Sequence, residues 1–179
     1  MPKVAASFLF AVLLFSWPVQ EIRQTLAPYI ATPEDVVDRM LALARVGPDD
    51  VVYDLGCGDG RIPIAAAVKY GARGVGLDVD PDLIARSKAN AAAAGVEHRV
   101  EFRVQDVLTA DVSPATVVTL FLLSSSNEKL RPILARQLKP GARIVSHAFS
   151  MGRAWPADQV DQFVSARGDE VTLYLWRIK

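Results

Sequence analysis

The residues best placed for chemistry are an aspartate and three glycines in the segment DLGCGDG, residues 54–60. An apolar run at residues 51–55 precedes this segment and a helical pattern follows it, so a turn between a strand and its helix is predicted. Glycine permits tight turning and close approach of a ligand, and a helix start presents free N–H groups. The spacing is Gly-x-Gly-x-Gly, whereas dinucleotide turns read Gly-x-Gly-x-x-Gly, and Asp54 would repel a pyrophosphate. The turn therefore favours a cationic ligand. Its glycines are Gly56, Gly58 and Gly60.

Two more carboxylates follow the next predicted strands, Asp78 at the end of the second and Asp106 after the third. The carboxyl ends of parallel strands share one edge of a sheet, so the three acids are expected to converge. S-adenosylmethionine, a nucleoside with a sulfonium and an ammonium group, would use all of them. We expect Asp54 near the ammonium, Asp78 on the ribose and Asp106 on the adenine amine. Each acid alone could instead cap a helix or lie in a solvated loop.

The elements that position these residues alternate between strand and helix, which requires parallel pairing of the strands. Residues 160–164 and 171–178 are predicted to form a terminal hairpin. The fold class is therefore α/β, a doubly wound, Rossmann-like sheet of seven strands that ends in an antiparallel hairpin. The first five strands are predicted at residues 51–55, 74–77, 100–104, 116–123 and 143–148.

Length and composition support one folded domain. The chain has 179 residues, 51% of them hydrophobic, which is enough for a sizeable core. Lys plus Arg and Asp plus Glu number 20 each, so no net positive charge favours a nucleic-acid backbone as a partner. Because Cys57 is the single cysteine, an internal disulfide is excluded and no metal site is expected.

The N-terminus carries a separate apolar segment, VAASFLFAVLLFSW at residues 4–17, without a charge. As a helix it would rise about 21 Å, short of the roughly 30 Å hydrocarbon core. An uncleaved anchor or interfacial helix, a cleaved signal peptide and a helix packed on the domain all remain open. We divide the chain into this segment, residues 1–24, and a catalytic domain, residues 25–179. The anchor hypothesis implies membrane association with the domain on the cytosolic or matrix side, and cleavage of a signal would imply export.

Several stretches resemble a known family. DLGCGDGR, VGLDVDP, VQD and LKPGARIVSHAF resemble class I, seven-stranded S-adenosylmethionine-dependent methyltransferases. APYIATP, VVTLFLL and PGARIVSHAF with a downstream Trp-Pro pair are similar to the small lysine methyltransferases that act on the c-subunit of ATP synthase and on the adenine nucleotide translocase, and to their prokaryotic relatives. Where those relatives often have proline after the fourth strand, this chain reads LSSSN at residues 123–127.

The resemblance implies that Tyr29 and Thr32 fold over the cofactor as a lid. The alternatives are a packed aromatic ring for Tyr29 and a helix N-cap for Thr32. Ser124 and Asn127 are expected at the carboxyl end of the fourth strand, where they would orient the methyl acceptor. Asn127 or a neighbouring serine could instead cap the next helix.

Two further residues have open alternatives. His147 ends the fifth strand and is either a base or a hydrogen-bonded structural residue. Trp155 either lines an acceptor channel or closes the core.

The function predicted from these observations is methyl transfer from S-adenosylmethionine to a lysine of a membrane or membrane-adjacent protein. A small-molecule N- or O-methyltransferase and a non-catalytic cofactor-binding module are the alternatives.

Overall fold

The computed structural model describes residues 26–179, which form a seven-stranded sheet with four helices. The predicted N-terminal helix lies outside the described residues, so the domain division stays a prediction. Among the helices described, none has both the length and the apolar character needed to cross a membrane. The strands are β1 Val51–Leu55, β2 Arg73–Asp78, β3 Val100–Val104, β4 Val117–Leu120, β5 Arg143–His147, β6 Gln159–Val164 and β7 Glu170–Arg177. The helices are α1 Glu34–Leu43, α2 Arg61–Tyr70, α3 Pro81–Ala93 and α4 Ser124–Gln137.

The strand order across the sheet is β3-β2-β1-β4-β5-β7-β6. The first five strands are parallel, and β7 runs antiparallel to both β5 and β6. This confirms the predicted doubly wound sheet with its terminal hairpin. The order reverses between β1 and β4, and a crevice outside the carboxyl ends of the strands is expected at such a switch point.

Both faces of the sheet are covered, and successive residues of a strand enter opposite layers. In β1, Tyr53 and Leu55 belong to the apolar cluster on one face, while Val52 belongs to the cluster on the other. All five residues of β1 are buried. The sheet therefore supports the loops at its carboxyl edge from between two apolar layers.

Two possible helix caps suggested by the sequence are wrong. The N-cap of α1 is Pro33, without a side-chain cap, and Thr32 is buried before it, so Thr32 is not the cap. Helix α4 begins at Ser124, and its N-cap is Leu123, again without a side-chain cap. Neither Asn127 nor a neighbouring serine caps α4, because the Asn127 amide makes tertiary hydrogen bonds instead.

Candidate cofactor site

The glycine turn connects β1 to α2 and is fixed to the end of β2. The N–H groups of Gly56 and Cys57 both donate to the carbonyl of Leu77, at 2.8 and 3.0 Å. Gly60 is the N-cap of α2 with a φ of +79°, in the left-handed region that favours glycine. A Cβ atom there would lie 2.7 Å from the ring of Phe102. Backbone conformation and crowding both require glycine at this position.

The structure brings the three acids to one cleft at the carboxyl edge of the sheet. Asp54 is buried in β1, Asp78 ends β2, and Asp106 is exposed in the turn after β3. The Asp78 carboxylate accepts hydrogen bonds from the N–H groups of Gly58 at 2.9 Å and Asp80 at 3.0 Å. Asp106 also accepts from a backbone N–H of its own turn, so it both lines the cleft and stabilises the turn.

The pKa of Asp54 and the charges around it indicate whether a cationic ligand fits the cleft. Burial raises the pKa of Asp54 to about 7, although the Thr119 hydroxyl donates to it at 2.8 Å. The charges of Asp78 and Asp59 act in the same direction as burial. Within residues 26–179 no Lys or Arg forms an ion pair with Asp54. A ligand ammonium would supply the missing positive charge, so S-adenosylmethionine fits this donor set.

Residues 26–32, which we call the strap, form one wall of the cleft. Tyr29 is 45% exposed and its ring lies against Gly58. Partial burial, followed by the charge of Asp59, raises the pKa of the Tyr29 hydroxyl. Thr32 is buried, and its carbonyl accepts from Arg61 Nη1 at 2.7 Å. The strap therefore places Tyr29 and Thr32 at the cleft, and their contact with the cofactor stays a prediction.

The two residues predicted to orient the acceptor lie beside the cleft rather than in its wall. Ser124 is exposed at the start of α4. Asn127 is fully buried, and its Nδ2 donates to Ser146 Oγ at 3.2 Å and to the Phe149 carbonyl at 3.0 Å. Its contacts connect α4 to the end of β5 and the loop that follows. The acceptor role of Ser124 and Asn127 stays a prediction.

Sequence reasoning missed three residues of this region. Phe121 lines the cleft directly after β4, and Arg61 lines it at the start of α2. Ser126 is buried in the first turn of α4 and bonds to the strap. The position of Phe121 at the end of an apolar strand was a usable signal. Ser126 gave none, because its partner on the strap is distant in sequence, and the bond from Arg61 to the strap is equally non-local.

The structure places His147 and Trp155 in different surroundings, and the choice between the two alternatives for His147 stays open. His147 is buried with its ring 4.0 Å from that of Phe121, and its Nδ1 has no hydrogen-bond partner in the described part of the chain. Burial lowers the pKa of His147, which favours the neutral imidazole. Trp155 packs at the edge of the core, 6.4 Å from the Trp176 ring, whose Nε1 donates to the Trp155 carbonyl at 2.9 Å. Trp155 thus closes the core, and it is absent from the described cleft wall.

A glycine turn after β1, acids at the ends of β1 and β2, and an antiparallel β7 beside β5 together define a class I S-adenosylmethionine-dependent methyltransferase. The model of the ANTKMT methyltransferase domain matches residues 54–159, and the chain belongs to this family. S-adenosylmethionine is accordingly its cofactor.

Several relatives are close. A protein-lysine N-methyltransferase of Saccharolobus islandicus is 44% identical over 152 residues, 84% of this chain and 93% of that protein. The lysine N-methyltransferase of the ATP synthase c-subunit from Xenopus laevis is 31% identical over 78% of this chain and 60% of its own length. A crystal structure of an RNA methyltransferase from Salinibacter ruber, in complex with S-adenosyl-L-homocysteine, is 56% identical with a TM-score of 0.77. The match covers 83% of this chain and 94% of the Salinibacter ruber chain.

Proposed function

We propose that this protein is a protein-lysine N-methyltransferase that acts on a membrane or membrane-adjacent protein. The observation that carries the lysine acceptor is the 44% identity to a protein-lysine N-methyltransferase over 84% of this chain and 93% of that relative. The similarity to a lysine methyltransferase of the ATP synthase c-subunit supports the same acceptor, and that relative's name supports a membrane target.

For the cofactor we propose the order that the sheet edge favours. Asp106 follows β3, Asp78 ends β2 and Asp54 lies near the end of β1, and these three strands are neighbours in the sheet. Asp106 would bind the adenine amine, Asp78 the ribose and Asp54 the ammonium. In this order the methyl group would lie toward the end of β4, the strand next to β1. S-adenosylmethionine supplies a methyl carbon already activated by its sulfonium, so the protein contributes orientation and exclusion of water.

A lysine acceptor reacts as the neutral amine, and an apolar wall lowers the pKa of an amine that enters it. Phe121, Leu122 and Leu26 supply apolar surface on the β4 side of the cleft. Ser124, exposed nearby, would contact the acceptor. Asn127 would not contact the acceptor directly. It would hold the loop after β5 in place, because its Nδ2 donates to the Phe149 carbonyl.

We propose that residues 4–17 associate with a membrane and that the catalytic domain faces the cytosol or the mitochondrial matrix, where the cofactor is present. The support is the uncharged apolar run itself. The test compares the full chain with a chain that begins at Gln20, by partition between membrane and soluble fractions. Identical partition would exclude the anchor.

A second candidate, an RNA methyltransferase, is favoured by the name of the Salinibacter ruber structure. The balance of 20 basic and 20 acidic residues argues against it, because binding of a phosphate backbone depends strongly on positive charge.

One experiment separates these candidates. The full chain is incubated with S-adenosylmethionine labelled in the methyl group and with membranes, soluble protein, total RNA or a low-molecular-mass extract. The macromolecular products are then treated with protease or ribonuclease. We expect protease-sensitive label in the membrane fraction, located on lysine by mass spectrometry. Ribonuclease-sensitive label would indicate that the methyl acceptor is RNA, and label in a metabolite would indicate a small-molecule acceptor. Cofactor binding without label in any fraction would indicate a binding module.

A further inference from the structure

The strap is held at its two ends by side chains from two different helices. At one end, Ser126 Oγ of α4 donates to the Leu26 carbonyl at 2.6 Å. At the other end, Arg61 Nη1 of α2 donates to the Thr32 carbonyl at 2.7 Å. Both bonds go to backbone carbonyls, so they fix the path of the strap and do not depend on its side chains.

At the Arg61 end, the strap is connected to the glycine turn. Arg61 Nε and Nη2 donate to the two carboxylate oxygens of Asp59, at 2.9 and 2.6 Å, and Asp59 belongs to the turn itself. A bidentate pair of this kind fixes the plane of the guanidinium, which leaves Nη1 directed at Thr32. The same turn carries Gly58, against which the ring of Tyr29 lies.

The Ser126 end is attached to helix α4, which follows β4. Ser126 is only 4% exposed, and its own N–H donates to the Leu123 carbonyl at 2.9 Å, which fixes it in the first turn of α4. This helix follows the cleft residues Phe121 and Leu122. The serine run at residues 124–126 thus supplies a bond to the strap.

We propose that Arg61 and Ser126 are positioning residues that clamp the strap as a wall of the cofactor cleft, and that opening this clamp sets the rate at which the cofactor product leaves. Neither residue takes part in the methyl transfer itself. The proposal rests on the class of the enzyme and not on the identity of its acceptor, so a failure of the lysine assignment leaves it standing.

The test uses the full chain with Ser126→Ala and Arg61→Met, and with the exposed residues Ser125→Ala and Arg86→Met as matched controls. The readouts are the dissociation rate of S-adenosylhomocysteine in a stopped-flow displacement experiment and hydrogen exchange in peptides that cover the strap. We expect faster exchange in the strap and dissociation about tenfold faster for either clamp variant, since the loss of one hydrogen bond changes an equilibrium by roughly that factor. The controls should match wild type.

The Ser126→Ala variant decides the outcome, because it leaves the glycine turn and its Asp59–Arg61 pair untouched. If Arg61→Met alone accelerates dissociation, the arginine acts on the turn and the clamp is excluded. Faster exchange in the strap without faster dissociation would also overturn the proposal. In the double variant the two effects should be less than additive, since release of one end already frees the strap.

Discussion

The ring of Tyr29 lies against the backbone of Gly58, so that a Cβ atom on this glycine would be 2.4 Å from Tyr29 Cε2. The sequence pattern alone assigns the small size of Gly58 to close approach of the cofactor. In the structure the closest neighbour is a protein ring, carried by the strap. The glycine turn and the strap are therefore complementary in shape. A substitution in one should change the position of the other.

The first prediction concerns Gly58→Ala. Its φ of +54° strains any L-residue, and the added methyl group would displace Tyr29. We expect the affinity for S-adenosylhomocysteine to fall at least about tenfold, with destabilisation of roughly 1–2 kcal/mol from the backbone alone. Calorimetric titration and thermal unfolding measure the two effects. The control is Gly95→Ala, at a φ of +68° with nothing within 4 Å, which carries the strain without the collision. Equal loss of affinity in both variants would contradict the prediction.

The second prediction concerns Asp78→Asn. The carboxylate is oriented by the N–H groups of Gly58 and Asp80 and would accept both ribose hydroxyls. Replacing one oxygen by an NH₂ group removes an acceptor, so cofactor affinity should fall by about 1–3 kcal/mol. Titration calorimetry with S-adenosylhomocysteine measures it, with the exposed Asp82→Asn as control. Unchanged affinity in Asp78→Asn would remove Asp78 from the ribose site.

The parts of this molecule that the sequence predicts well are those with local signals. Strand β1 is predicted at its observed bounds, since an apolar run beside a glycine turn is a signal within one short window. Convergence of Asp54, Asp78 and Asp106 follows from the rule that parallel strands share their carboxyl edge.

The parts that it does not predict depend on contacts between distant residues. The bond from Arg61 to Thr32 spans 29 positions and that from Ser126 to Leu26 spans 100, so no local pattern reports them. For the same reason the prediction of Asn127 as a possible cap is wrong, because its partners lie at and beyond the end of β5. Local propensity favours Asn at a helix start, and tertiary hydrogen bonding overrides it.

The third prediction is a pH dependence of stability caused by His147. Burial lowers the pKa of this imidazole below the ordinary value of 6.5, so the unfolded chain takes up a proton more readily than the folded protein. The contribution of His147 to stability is present above pH 6.5 and is lost as the pH falls toward the folded pKa. We expect the free energy of unfolding of His147→Gln, measured in denaturant, to depend less on pH in this window than that of wild type. The exposed His98→Gln is the control, and an unchanged pH profile in His147→Gln would contradict the prediction.

The fourth prediction concerns Asp54, whose pKa of about 7 lies far above the ordinary 3.8. Between these two values the folded protein holds a proton that the unfolded chain has lost. The free energy of unfolding should therefore fall as the pH rises through this window and become constant above about pH 7. Asp54→Asn should abolish this slope, which denaturant unfolding at a series of pH values measures.

Release of the Asp54 proton also tests where the cofactor ammonium binds. A ligand ammonium beside Asp54 stabilises the carboxylate, so binding of S-adenosylhomocysteine near pH 6 should release up to one proton, and binding near pH 8 almost none. Affinity should then rise up to about tenfold per pH unit below pH 7. Calorimetry in buffers of different ionisation enthalpy measures the release directly, and Asp54→Asn should show none. If stability shows the raised pKa of Asp54 but binding near pH 6 releases no proton, the ammonium does not lie at Asp54 and must be placed elsewhere in the cleft.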